Sequence, residues 1–442
     1  MAERFRIASI RAREIIDCRG FPTIQTDVHT GGGSLGRADV ACGRSTGRFE
    51  AKELRDGGSR FLGRGVQRAI RNIHEIIAPA LLDRDVRHQR EIDRLLSEGL
   101  DPSGDKSGLG ANATTSVSLA VARASAAAQG RPLWESVNPR GHVIPMPMIN
   151  LIGGGKLGAS GLEIQEFHVV PLGASSLLEA LQMATEINGA LARILGSRYG
   201  SAALHVGDEG GFMPDMRGLA EPLACLAEAV EDAGYTGQIA YSMDCAASHF
   251  YDADADAYRL GGDLLTTDEM LGLYEQVCAD FPVVSIEDPL QQEDWDGYRQ
   301  LGQRLDVQVV GDDLFVTHPQ RLLQGVHAGA ANALLWKVNQ IGTLTEALDT
   351  AFLAYDNGFC VQVSERSGET EDPLIADLAV ALNCGQIKTG APVRGERTSK
   401  YNRLLQIEEE LGARARFPGR WFRQWLDSPP TPSDEGEARG AD

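Results

Sequence analysis

The chain contains 442 residues, more than the roughly 250 to 300 at which one hydrophobic core stops growing, so two domains are expected. Its formal net charge of −20 argues against nonspecific binding to nucleic acid or to anionic membrane, since either requires a basic face. Seven cysteines without a CxxC pair are typical of a reduced, cytoplasmic protein, and no apolar run approaches the ~20 residues of a membrane span.

The first part of the chain has the pattern of an α+β domain. Residues 5–40 alternate apolar and polar side chains around a GGG segment, which predicts antiparallel strands joined by a loop. The alanine-rich stretch that follows has Asn112 as its capping residue and stops at Gly130, which predicts a long and mostly buried helix. We therefore expect an N-terminal α+β domain over residues 1–140.

From residue 141 onward, short apolar runs that end in charged residues alternate with segments of helical period. The runs are QIAYSMD, PVVSIEDP, VQVVGDD, NALLWKV and FCVQVSER. Near-continuous apolar strands are typical of a parallel sheet buried on both faces, and serial βα units favour a closed TIM-like barrel over residues 141–427. In such a barrel the active site lies at the C-terminal ends of the strands. The polar segment 428–442 predicts a disordered tail.

Three of these runs end in carboxylates that a barrel would bring to one rim. They are Asp244, Glu287 and Asp312. Hard oxygen ligands without a nearby Cys or His pair favour Mg²⁺ over zinc. Each residue alone could be an ordinary loop acid or helix cap. A carboxylate at three equivalent strand ends, however, favours the metal site.

Lysines and further carboxyl groups supply candidates for acid and base. Lys337 and Lys388 end later strands, and a lysine beside cations has a lowered pKa that suits a general base. For Lys388 the alternative is a salt bridge to the carboxylate cluster. Asp208 and Glu209 lie on a glycine-flanked loop, and Glu166 lies near a strand terminus. A carboxyl group that faces a lysine across the substrate would place acid and base on opposite faces.

The ordered motifs resemble those of the enolase family to about residue 425. They include AREIIDCRGFPT, GRSTGRFEAKELRDG, LGANATTSVSLAVA, GDEGGF, SIEDP, GDDL, KVNQIGT, RSGETED, QIKTGAP and RTSKYNRLLQIEEELG. The resemblance implies an enolase-type α+β domain and β/α barrel, two Mg²⁺ ions per active site and small anionic phosphorylated substrates. It also implies a homodimer or a higher homo-oligomer.

The resemblance assigns roles to individual positions. It implies Asp244, Glu287, Asp312 and Ser45 as metal ligands. It implies Lys337 as the base, Glu209 as the acid and Glu166 as the partner of the acid. Substrate contacts are implied for Gln165, Arg366, Ser367 and Lys388.

The chain departs from the family around the phosphate side of the expected site. Leu157 and Glu365 stand where enolases carry histidines. Nearby departures are Arg44, Trp336, Cys18, Phe21, Phe315 and His318, whereas the implied base and metal ligands are intact. This pattern favours retained proton abstraction with altered substrate use.

Three functions remain open on this pattern. The favoured one is a reaction like that of carboxyphosphonoenolpyruvate synthase in phosphonate and phosphinate biosynthesis, in which a phosphonoformate-type donor joins an enolpyruvate skeleton. Arg44 on the closing loop would pair with the extra anionic group, with Leu157 and Glu365 as further substrate-side residues. The alternatives are a glycolytic enolase that tolerates these substitutions and a catalytically inactive binding or scaffold protein.

Overall fold

The N-terminal part is built on a three-stranded antiparallel sheet. The computed structural model describes residues 2–44, 46–158 and 160–422, so Ser45 and the predicted tail 428–442 lie outside the described residues. The sheet has the order β1 (Ile7–Ile16), β2 (Pro22–Thr30), β3 (Leu35–Asp39). The helices of this part are α1 (Gln67–Asn72), α2 (Ala78–Leu81), α3 (Gln89–Arg94), α4 (Ala111–Gln129) and α5 (Leu133–Val137), and π-helical turns follow α1 at Ile73–Ile77 and α3 at Leu95–Leu100. The predicted antiparallel strands and the long helix are confirmed.

Helix α4 lies directly on the sheet. A Cβ atom at Gly36 of β3 would come within 2.0 Å of the Ala120 carbonyl oxygen, so only glycine permits this approach. The predicted capping role of Asn112 is wrong. Gly110 is the N-cap, and the Asn112 amide instead bonds the backbone N–H and C=O of Leu54, both at 3.1 Å. The helix ends as predicted at Gly130, whose φ of 69° is a left-handed conformation that glycine adopts without strain.

The second part is a closed eight-stranded barrel with a small antiparallel sheet inserted. The strands along the chain are β4 (Met146–Gly153), β5 (Glu166–Val170), β6 (Ala240–Asp244), β7 (Tyr251–Asp252), β8 (Ala257–Leu260), β9 (Asp263–Leu265), β10 (Val283–Glu287), β11 (Gln308–Gly311), β12 (Ala333–Trp336), β13 (Cys360–Ser364) and β14 (Gln386–Lys388). The barrel order is β10-β11-β12-β13-β14-β4-β5-β6, and β7 to β9 form the inserted sheet. Every strand predicted in the barrel is present.

One barrel strand runs against the others. β5 pairs antiparallel with both β4 and β6, whereas the remaining barrel pairs are parallel. The first residue of β5, Glu166, therefore lies opposite the last residue of β6, Asp244. The reversal thus brings the start of β5 to the rim at which the other strands end.

The barrel helices are α6 (Leu177–Tyr199), α7 (Ala220–Asp232), α8 (Thr267–Asp280), α9 (Trp295–Arg304), α10 (Pro319–Ala328), α11 (Leu344–Asp356), α12 (Leu374–Leu382) and α13 (Gly395–Leu411). They cover the outside of the sheet. Trp336 at the end of β12, for example, is fully buried and donates from its indole nitrogen to the Ala347 carbonyl of α11 at 2.6 Å. Among the described residues, no helix has the length and apolar character needed to span a membrane.

Candidate active site

A pocket at the C-terminal rim of the barrel gathers most of the predicted site residues. It is lined by Gly43, Leu157, Gln165, Glu166, Glu209, Asp244, Lys337, Ser364, Glu365, Arg366, Ser367 and Lys388. These side chains come from the loop after β3, from the ends of barrel strands and the loops after them, from the start of β5 and from the loop between α6 and α7. Residues that are more than 300 positions apart in the chain thus meet at one rim, as parallel strand ends require.

Lys388 ties three carboxylates together on one side of the pocket. Its Nζ atom lies 2.7 Å from Glu287 and 3.1 Å from both Asp244 and Glu166. Burial alone would lower the pKa of Lys388, but these carboxylates hold it well above its ordinary value. Lys388 is therefore a fixed cation, which is the salt-bridge alternative that the sequence left open.

Lys337 and Asp312 form a second buried pair. The Lys337 Nζ atom lies 2.6 Å from Asp312, which also accepts from the Gln340 amide at 2.7 Å. Burial would lower the pKa of Lys337, but the Asp312 carboxylate raises it above its ordinary value. The expected lowered pKa is therefore absent in this arrangement, because the nearest charge is an anion.

The residues at this rim fit a hard divalent cation. Asp244, Glu287 and Asp312 are buried carboxylates, and the Glu287 Oε1 atom has no hydrogen-bond partner although it is buried. A buried acceptor without a donor is costly, and a cation bound to oxygen ligands would satisfy it. Ser45, the fourth implied ligand, lies outside the described residues.

The tightest acidic cluster among the described residues is a different one. Asp288, Asp312 and Asp313 each place an oxygen atom within 4.8 Å of the others. The Asp288 carboxylate, however, accepts from the backbone N–H groups of Asp312 at 3.0 Å and Asp313 at 2.7 Å, and from the Tyr298 hydroxyl at 3.0 Å. Asp288 therefore holds the loop after β11, and the strand-end carboxylates remain the better candidates for metal ligands.

Glu166 and Glu209 lie on the other side of the pocket with unequal environments. Burial would raise the pKa of Glu166, but Lys388 and His168 hold it well below its ordinary value. Burial, followed by the charges of Glu166 and Glu365, raises the pKa of Glu209 well above its ordinary value. The two environments therefore favour the proton on Glu209 over Glu166, which is the order that an acid and its partner need.

Glu365 does not present a free negative charge to the pocket. Its carboxylate lies 2.5 Å from the Arg397 guanidinium, which is fully buried and also donates to the carbonyls of Asp208, Arg366 and Ser367. Burial is the main cause that raises the pKa of Glu365, to about 7. Glu365 is thus part of an internal ion pair.

Arg44 follows the lining residue Gly43 and makes contacts within the protein beside the pocket. Its guanidinium lies 2.9 Å from Asp208 and donates to the Lys156 carbonyl at 3.0 Å, and its backbone N–H donates to the Ser367 hydroxyl at 2.7 Å. Leu157, next to Lys156, is buried and lines the pocket. Arg44 therefore connects three loops, and in this structure its charge is paired with Asp208.

The cation Arg366 is positioned by the N-terminal part of the chain. Its guanidinium bonds the Glu50 carboxylate at 3.0 Å and the Asn339 amide oxygen at 3.0 Å. Gln165 lines the pocket and donates to Asp244 at 3.1 Å, and its buried Oε1 atom has no partner. Arg366 thus places a positive charge in the pocket lining, whereas the unpartnered Gln165 oxygen can only accept a hydrogen bond.

Sequence reasoning missed several supporting residues. His168 bonds Glu166 at 2.8 Å, Asn150 donates to Glu209 at 3.4 Å, Glu50 holds Arg366, and Arg397 holds Glu365. His168 had a local signal, because residues two apart on a strand share a face and His168 follows Glu166 by two. The other contacts span more than 30 residues and have no local pattern.

Comparison with known proteins gives a consistent match over nearly the whole chain. The family model described as the enolase N-terminal domain matches residues 7–137, and that of the enolase C-terminal TIM barrel domain matches residues 141–426. The enolase of Methanopyrus kandleri is 52% identical over 417 residues, which cover 93% of this chain and 97% of that protein. The enolases of Thermococcus gammatolerans and Pyrococcus furiosus are each 50% identical, over 96% of this chain and 99% of their own lengths.

Proposed function

We propose that this chain, which belongs to the enolase family, converts 2-phosphoglycerate to phosphoenolpyruvate and water in a Mg²⁺-dependent reaction. The observation that carries the proposal is the placement of the base opposite Glu166, the partner of the acid Glu209. Lys337 follows β12 and Glu166 begins β5, and these strands are four apart in the eight-stranded barrel. They therefore lie on opposite sides of one pocket, as removal of a proton and of a hydroxyl group from opposite faces requires.

The base side of the pocket would perform the first step. Lys337 accepts the α-proton of the substrate, and the electron pair moves onto the substrate carboxylate to form a dianionic ene-diolate. Mg²⁺ held by Asp244, Glu287, Asp312 and Ser45 would supply the fixed positive charge that this dianion needs. Asp312 is hydrogen-bonded to Lys337. A cation bound to Asp312 in place of Lys337 would leave Lys337 free to accept a proton.

The acid side would perform the second step. The C2=C3 double bond forms as the β-hydroxyl group leaves, and Glu209 donates its proton so that the leaving group departs as water. Glu166 remains ionised beside Lys388 and keeps the proton on Glu209. Gln165, Arg366, Ser367 and Lys388 would contact the carboxylate and phosphate of the substrate, and Leu157 and Glu365 would border it.

A turnover assay tests the proposal. The purified chain with 2-phosphoglycerate and Mg²⁺ should form phosphoenolpyruvate, seen as the ultraviolet absorbance of the enol product, and chelation of the metal should abolish this. Absence of product together with absence of α-proton exchange with deuterated solvent would contradict the proposal and favour an inactive binding protein.

A second candidate is the donor-dependent reaction with a phosphonoformate-type substrate. It is favoured by Leu157 and Glu365, two pocket residues that differ from the family pattern, but Arg44 is paired with Asp208 and so gives it less support. The second candidate predicts that a phosphonoformate donor, free or nucleotide-activated, raises consumption of 2-phosphoglycerate. Phosphorus NMR would then detect a product that contains a P–C bond.

The family resemblance also supports a homodimer or a higher homo-oligomer as the working assembly. Size-exclusion chromatography with light scattering would measure the mass of the assembly against 47.6 kDa for one chain. A mass equal to one chain at assay concentrations would contradict this part of the proposal.

A further inference from the structure

A buried histidine behind the pocket has no role in the reaction described above. His168 is 1% exposed and lies two residues after Glu166 on β5, so both side chains point to the barrel interior. Its Nε2 atom lies 2.8 Å from Glu166 Oε2, and its Nδ1 atom lies 2.9 Å from the Ser242 hydroxyl of β6. Both ring nitrogens therefore have partners in a region closed to solvent.

The chemistry of the partners fixes which ring nitrogen donates. A carboxylate only accepts, so Nε2 carries a hydrogen toward Glu166. Nδ1 lies 2.9 Å from the Ser242 hydroxyl and 3.2 Å from the Ser242 carbonyl, so it either accepts from the hydroxyl or donates to the carbonyl. In both cases Ser242, on the neighbouring strand, holds the ring orientation in which Nε2 donates to Glu166.

His168 and Lys388 divide the two oxygen atoms of Glu166 between them. Lys388 bonds Oε1 at 3.1 Å, and His168 bonds Oε2 at 2.8 Å. A hydrogen bond with Glu209, the group assigned as the acid, is one of the causes that lower the pKa of Glu166. The plane of the Glu166 carboxylate, and with it the direction of the Glu209 proton, therefore depends on both donors.

We propose that His168, oriented by Ser242, is a positioning residue that fixes the Glu166 carboxylate so that Glu209 directs its proton into the pocket. This inference rests on the proposed dehydration, because it concerns the step in which the hydroxyl group leaves. His168 does not contact the pocket itself, whose lining includes Glu166 and Glu209 but not His168. It therefore acts through Glu166 only.

Two matched variants of His168 separate positioning from packing. His168→Met fills the site without a donor, whereas His168→Gln retains an N–H group at about the distance of Nε2. Loss of a hydrogen bond to a charged group should reduce kcat for phosphoenolpyruvate formation by about 10- to 100-fold in His168→Met, with KM changed by less than about threefold. His168→Gln should recover most of kcat, and Ser242→Ala should cause a smaller loss in the same direction.

The rate of α-proton exchange separates positioning from a general structural defect, because a structural defect would lower it together with kcat. Exchange with deuterated solvent depends on Lys337 across the pocket, so its rate should stay within about twofold in His168→Met while kcat falls. Equal losses of exchange and of product formation, or equal kcat in the Met and Gln variants, would overturn the inference.

Crystal structures of the two variants test the inference without an activity measurement, because they show the position of the Glu166 carboxylate. In His168→Met the Glu166 carboxylate should rotate away from its present contact with Lys388, and in His168→Gln it should stay. An unmoved carboxylate in His168→Met would overturn the inference. A wild-type chain that makes no phosphoenolpyruvate would overturn the proposed function, while these structures would still test the positioning role.

Discussion

The two sides of the pocket reach their charge states by different means. On the base side, Lys337 and Asp312 form one ion pair in which each group keeps its charge. On the acid side, Glu166 and Glu209 are like groups in contact, and unequal neighbours decide which one keeps the proton. The charge state of Lys337 therefore depends on what binds Asp312, whereas the charge states of Glu166 and Glu209 depend on the protein alone.

The largest effect is expected on the base side. Lys337→Ala removes the group that accepts the α-proton, so exchange of that proton and product formation should both fall by about 10²- to 10⁴-fold. Proton NMR in deuterated solvent measures the exchange. Arg193→Ala, at an exposed position on α6, is the control and should retain wild-type rates. Rapid exchange in Lys337→Ala would place the base elsewhere.

The control of the base side by Asp312 can be tested next. Asp312→Asn removes a ligand charge at nearly constant volume, so binding of Mg²⁺ measured by calorimetry should weaken by about 10- to 100-fold while circular dichroism stays unchanged. Asp296→Asn, an exposed acid on α9, should bind Mg²⁺ as the wild type does. Equal affinity in the two variants would remove Asp312 from the metal site.

Glu365, which lines the same pocket, should make the stability of the protein depend on pH. The pKa of Glu365 is raised from 4.5 to about 7, so the folded chain binds an extra proton between these values. The free energy of unfolding should therefore fall as pH rises through this window, and Glu365→Gln should flatten that slope. Urea unfolding at about pH 5 and about pH 8 measures it. An unchanged slope in Glu365→Gln, with exposed Glu228→Gln as the control, would contradict the assignment.

The smallest effect is expected at the loops above the pocket. The Arg44 side chain is 41% exposed, so its pair with Asp208 contributes only ~0.2 to 1 kcal/mol. Arg44→Ala should therefore raise KM for 2-phosphoglycerate by less than about fivefold and leave kcat nearly unchanged. A selective loss of turnover with a phosphonoformate donor would instead support the second candidate reaction.

The sequence predicted the features that repeat along the chain. Alternating apolar and polar residues predicted the α+β part, and apolar runs that end in charged groups predicted the barrel. The same runs predicted the rim at which Asp244, Glu287, Asp312 and Lys337 lie. The reversal of β5 was not predicted, because antiparallel pairing leaves no mark on a strand that is buried on both faces.

The states of individual charges were harder to predict than their positions. The raised pKa of Lys337 depends on the 2.6 Å contact with Asp312, and the neutralised charge of Glu365 depends on Arg397, 32 residues away. Such contacts are set by tertiary packing rather than by local pattern. The ion pair between Arg44 and Asp208 was not predicted for the same reason.

The division of labour across the pocket is the central claim, and Glu209→Gln tests it most directly. The variant keeps the size of the side chain but cannot donate a carboxyl proton, so α-proton exchange measured by proton NMR in deuterated solvent should continue while phosphoenolpyruvate formation falls by about 10²-fold or more. Loss of exchange in parallel with product formation would contradict the claim, because Glu209 would then be needed for the step assigned to Lys337.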